Sequence, residues 1–132
     1  MSLKLTKGIK TLLSDADKVV TTISVDEAKT LLGSDNHIFV DLRDFRELKR
    51  EGKVPGAFSC PRGMLEFWVD PESPYHKDIF DTGKTYIFYC ASSWRSALAV
   101  KTVMEMGMTS AVHFQGGFSK WKKEGGPVEA VD

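Results

Sequence analysis

Apolar residues follow two rhythms along this chain, one helical and one extended, and their alternation predicts its architecture. In residues 3–20, Leu5, Ile9, Leu12, Leu13, Ala16, Val19 and Val20 recur at helical spacing between Lys and Asp. That predicts an amphipathic helix, broken near Ser14-Asp15. Its apolar face has two readings: packing on the outside of the domain, or pairing with a partner or a second copy. Ser24, with Glu27 three positions on, has the capping-box spacing, so a short helix follows to Leu32 and stops at Gly33. Ile38-Phe39-Val40 reads as a buried strand. Residues 43–51 form a charged helix ended by Gly52, Pro55-Gly56 marks a turn, and Ala57-Phe58-Ser59 is a short strand. A helix over 62–69 precedes a Pro- and Asp-rich excursion reaching Gly83.

Thr85-Tyr86-Ile87-Phe88-Tyr89 is the clearest strand. Cys90-Ala91-Ser92-Ser93 follows it directly and opens a helix in which Ala97, Val100, Val103, Met104 and Met108 share a face, with Gly107 near the end. Ala111-Val112-His113-Phe114 is a last strand. Gly116-Gly117 turns the chain into a final helix ending near Gly125-Gly126-Pro127. Strands alternating with helices predict an α/β fold whose parallel sheet is covered on both faces.

A length of 132 residues fits one domain, and a chain of that size buries roughly 65% of its unfolded surface. Eighteen basic residues balance eighteen acidic ones, which argues against a broad basic face for nucleic acid. No stretch approaches the ~18 apolar residues that span a bilayer. The first residues lack the apolar core of a secretory signal. Two cysteines, Cys60 and Cys90, are too few for a disulfide scaffold, although one bridge stays open. A reducing, cytoplasmic setting is expected. His37, His76 and His113 show no metal-ligand spacing, so no metal is expected.

Cys90 carries the candidate chemistry. In open parallel sheets, ligands sit beyond the carboxyl ends of the strands, and Cys90 stands at such an end where a helix begins. Unpaired N–H groups at a helix start form an anion-binding nest. Arg95, five positions later, adds a cation. Such settings lower a thiol pKa to roughly 3.5–7.5 from ~8.5, making the sulfur a nucleophile. Ser92 and Ser93 are small and polar, leaving room for a transferred atom and hydroxyls to bond it. The competing reading is a cysteine that simply packs in the core.

Cys90-Ala91-Ser92-Ser93-Trp94-Arg95-Ser96 resembles the active-site loop of the rhodanese family. Val40-Asp41-Leu42-Arg43 with Glu47, then Gly52-Lys53-Val54-Pro55-Gly56-Ala57, resembles its first signature, and Gly116-Gly117-Phe118, Trp121 and Gly126-Pro127-Val128 its C-terminal one. The likeness covers residues 25–127, leaving 3–20 as an extra N-terminal helix on a single domain. It implies a central, mainly parallel five-stranded sheet flanked by helices on both faces. It also implies a sulfurtransferase that moves sulfane sulfur from a donor such as thiosulfate to cyanide or a thiol, through a Cys90 persulfide and without a cofactor. Cys90 and Arg95 would be catalytic; Ala91, Ser92, Ser93, Trp94 and Arg43 would line the substrate site. Asp41 would be structural, bonding loop N–H groups. Partners would be a small sulfur donor and acceptor, or a thiol protein as acceptor.

Two departures bear on the donor. Ala91 stands where many small members carry Arg, which weakens attraction for dianionic thiosulfate, and Ser93 stands where they carry Gly. Lys53 also replaces a common His. A persulfide relay or sensor, and a non-catalytic interaction module, are the alternatives. Cysteine phosphatases and arsenate reductases share the architecture but carry one more residue between Cys and Arg. Cys60 has two readings, a resolving thiol or a small core hydrophobe.

Overall fold

Strand β4 (Thr85–Tyr89) sets the frame, because its side chains alternate between two hydrophobic layers. Tyr86 and Phe88 join Val40, Leu65, Val100 and Val103 on one face, while Ile87 and Tyr89 join Phe39, Phe114, Phe118 and Trp121 on the other. In the computed structural model, which describes residues 2–132, β4 lies third among five parallel strands. The order is β1 (Thr21–Ile23), β5 (Ala111–Phe114), β4, β2 (His37–Asp41), β3 (Phe58–Ser59). Every pairing is parallel. Parallel strands need crossover connections, and the helices between them cover both faces.

The helices are α1 (Ile9–Asp17), α2 (Val25–Thr30), α3 (Phe45–Glu51), α4 (Leu65–Val69), α5 (Trp94–Glu105) and α6 (Gly117–Lys123), with 3₁₀ turns at Arg62–Met64 and Asp78–Phe80. Ser24 caps α2 by accepting from Glu27 N at 3.0 Å. Asp44 caps α3 in a full capping box with Glu47. Among the described residues, no helix is long and apolar enough to cross a membrane.

Four expectations are revised. The helix expected over 3–20 begins only at Ile9 and runs unbroken through Ser14 and Asp15; it packs against α5 and buries Ala16, while Leu5 and Ile9 stay exposed. Strand β1 was not expected: three residues, two of them exposed threonines, are too short for a legible alternation. The helix over 62–69 splits into a 3₁₀ turn and α4. Met108 lies beyond α5. Gly107, at φ +110°, ends the helix, and Met108 N donates back to Val103 O at 2.9 Å, returning the side chain to the core.

Candidate active site

The carboxyl ends of β4 and β2 meet at one rim of the sheet. Leu42 N donates to Tyr89 O at 2.9 Å, holding the two chain exits together. From there the segment Cys90–Ser93 leads into α5, whose first amides have no intrahelical acceptors. The loop is fixed from outside by the start of α6: Phe118 N donates to Cys90 O at 2.8 Å and Ser119 N to Ala91 O at 3.0 Å. Gly117 permits that approach. Its φ is +60°, and a Cβ there would lie 2.6 Å from Cys90 O and closer still to Ser92 O.

Cys90 is fully buried. Its Sγ lies 3.8 Å from Ser96 Oγ. Ser92 and Trp94 are exposed, whereas Ala91 and Ser93 are half-buried. Arg95 grips Glu47 in a two-pronged ion pair, at 2.8 and 3.0 Å. That pair raises the Arg95 pKa against the opposing effect of burial, and Cys90 adds a smaller upward pull. The same bonds hold the Glu47 carboxyl below its ordinary range, again against burial.

Arg43 is not a rim cation. Its guanidinium is wholly buried, bonding Asp41 through Nε (3.0 Å) and Nη2 (2.7 Å) and Gly52 O through Nη2 (2.7 Å). It also lies 4.2 Å from the Phe118 ring centre. Burial works against its charge, but the Asp41 bonds outweigh this and the net direction is upward. Asp41 also accepts from Arg43 N at 3.0 Å. Arg43 therefore ties the end of β2 to the carbonyl that ends α3. Glu47 pairs with Arg95 and not with Arg43.

Cys60 does not resolve Cys90. The two residues follow β3 and β4, and β2 lies between those strands. Two strand spacings are about 10 Å, beyond disulfide reach. Burial pushes the Cys60 thiol up to about 12, and its side chain sits in the hydrophobic core.

Ser96, His113 and Gly117 were not singled out for the site from sequence. A lone histidine in the otherwise apolar run Ala111–Phe114 was the available signal for one of them.

The rhodanese-like domain model matches residues 24–124. The chain belongs to the rhodanese family. Curated relatives include the mouse thiosulfate sulfurtransferase/rhodanese-like domain-containing protein 3, 28% identical over 75% of this chain and 66% of that protein. Thiosulfate sulfurtransferase 16 of Arabidopsis thaliana is 28% identical over 89% of this chain and its full length. The chain spans 66% and 60% of the first two curated relatives. Among solved structures, a Rhodopseudomonas palustris protein of unknown function, described as a possible tyrosine phosphatase, is 48% identical with a TM-score of 0.95, over 98% of this chain and 99% of that one. A human single-domain sulfurtransferase is 25% identical with a TM-score of 0.66, over 80% of this chain and 97% of that one.

Proposed function

We propose that this rhodanese protein transfers sulfane sulfur through a persulfide on Cys90. The observation that carries the reading is Cys90 at the end of β4, in a loop of four residues closed by Arg95, with Arg95 itself held by Glu47. The Cys90 thiolate attacks the outer sulfur of a donor such as thiosulfate. The donor's S–S bond breaks, and sulfite departs with the bonding pair. A cyanide or thiolate acceptor then attacks the outer persulfide sulfur and releases the Cys90 thiolate. The free amides at the start of α5 and the Ser92 and Ser93 hydroxyls line the path of the transferred atom. Cys90 is fully buried, so a donor reaches its sulfur only when the groups covering it move aside. Ala91 offers no cation to thiosulfate, which favours a less charged donor or a protein persulfide and makes a relay the second reading.

The name of the R. palustris neighbour favours testing a phosphatase reading beside it. Four residues between Cys90 and Arg95 make a ring suited to one sulfur atom rather than a tetrahedral oxyanion. Thiosulfate-to-cyanide transfer by wild type and Cys90→Ser, with intact mass after donor exposure and para-nitrophenyl phosphate in parallel, tests all three. Turnover with one added sulfur in wild type alone is expected. An added sulfur without turnover moves the protein to the relay. Phosphate release without added sulfur overturns the proposal.

A further inference from the structure

Four side chains join the Cys90 sulfur to the protein surface on the β1 side of the sheet. Cys90 Sγ lies 3.8 Å from Ser96 Oγ on α5. Ser96 Oγ lies 2.8 Å from His113 Nδ1 on β5, and His113 Nε2 lies 3.0 Å from Thr22 Oγ1 on β1. Cys90, Ser96 and His113 are buried, whereas Thr22 is exposed. Thr22 opens on a cleft of about 270 Å³ that Asp17, Ser93, Gln115 and the edge of His113 also line. Hydroxyls donate or accept, and a neutral imidazole does one at each nitrogen. Every link in this chain is therefore reversible.

The geometry points to a neutral proton wire from Cys90 to Thr22, with His113 as the positioning residue that exchanges tautomers when the thiol ionises. The wire rests on the reading of Cys90 as the reacting thiol. In the thiol state, S–H donates to Ser96 Oγ, the Ser96 hydroxyl donates to His113 Nδ1, and Nε2–H donates to Thr22 Oγ1. Ionisation moves each proton one place along. The sulfur proton passes to Ser96, the Ser96 proton to Nδ1, the Nε2 proton to Thr22, and the Thr22 proton to water in the cleft. The chain then runs in reverse, and the Ser96 hydroxyl donates to the thiolate. One proton has left, one negative charge remains on sulfur, and His113 starts and finishes neutral.

The surroundings suit that neutrality. Burial lowers the His113 pKa, and Asp17 from α1, the charged group facing it, pulls more weakly the other way. Thr22 on β1, Ser93 and Ser96 at the head of α5, Gln115 after β5 and Phe88 in register on β4 carry no charge. An imidazole that resists protonation passes a proton without storing it. Ser93 O, 3.2 Å from Ser96 Oγ, is the longer, competing acceptor.

The tautomer is directly observable. The protein has three histidines, and long-range ¹⁵N–¹H NMR assigns His113 by elimination with His37→Asn and His76→Asn. Between pH 7 and 10, His113 is expected to pass from the Nε2–H to the Nδ1–H form without an imidazolium stage. The change should track the rise in Cys90 alkylation by iodoacetamide. It should vanish in Cys90→Ala and in Ser96→Ala, and Ser96→Ala should slow alkylation about tenfold, as expected for losing a hydrogen bond to a charged group. A single tautomer throughout, or a switch that survives Cys90→Ala, overturns the wire. A persulfide formed without the switch sinks the wire and leaves the sulfurtransferase reading standing. A switch in a protein that takes sulfur from no donor does the reverse.

Discussion

Glu47 accepts both prongs of the Arg95 guanidinium while its Oε1 also accepts from Asp44 N at 3.0 Å. One carboxylate thus caps α3 and anchors the cation that closes the Cys90 loop, although the two residues stand 48 positions apart.

Glu47→Gln keeps the cap acceptor but removes the charge that holds Arg95. Sulfur transfer at saturating donor is expected to fall about tenfold, the effect of one charge-assisted bond. The pH dependence has a definite sign. The folded pKa of Glu47 is depressed, so its stabilisation is full above the unfolded value of about 4.3 and fades as pH falls through the lower folded value. Urea unfolding from pH 6 to pH 3 should show the gap between wild type and Glu47→Gln closing on the acid side. A gap independent of pH would count against the ion pair.

Arg43→Met is expected to destabilise the fold by about 3–5 kcal/mol, because it strands the Asp41 carboxylate in a buried site. Arg43→Lys should recover little of that, since a single ammonium cannot reproduce the fork to Asp41 and Gly52 O. A stable Arg43→Met protein with a raised KM for an anionic donor would return Arg43 to the substrate rim.

Gly117→Ala places a methyl group against the Cys90 and Ser92 carbonyls at a positive φ. Two or more kcal/mol of lost stability, about the cost of a strained backbone position, should accompany loss of persulfide formation. Gly125→Ala has a positive φ but open space around it and serves as the control: it should lose stability alone.

Burial disfavours the Cys60 thiolate. Iodoacetamide at pH 8 should label one site in the folded protein, and Cys90→Ser should abolish that labelling. Cys60→Ala should transfer sulfur at the wild-type rate. Any loss of persulfide turnover in Cys60→Ala would reinstate it as a resolving thiol.

Ala91→Arg restores a cation beside the loop. Its expected effect is a lower KM for thiosulfate, roughly tenfold for one added charge near the entrance, with little change for an uncharged donor. An unchanged thiosulfate KM would place the donor's charge elsewhere than Ala91.

The sequence by itself determined the succession of strands and helices, because periodicity and caps are local properties: β4 shows as an unbroken apolar run and α2 starts where Ser24 and Glu27 fall. It also determined the placing of Cys90 and Arg95 at a strand-to-helix junction, since that depends on neighbours in the chain. Strand β1 escaped detection because three residues hold no period, and sheet pairing with β5 alone makes them a strand. Tertiary structure decided which charges meet. Arg43 has the sequence of a surface residue and the position of a buried brace, because the Asp41 carboxylate, Gly52 O and the Phe118 ring converge on it from separate elements. His113 became a link between sulfur and solvent only when β1 and α5 closed on β5 from two sides. Hydrogen bonds of that reach depend on the crossovers of a parallel sheet, which bring distant residues together at a rim that no local pattern records.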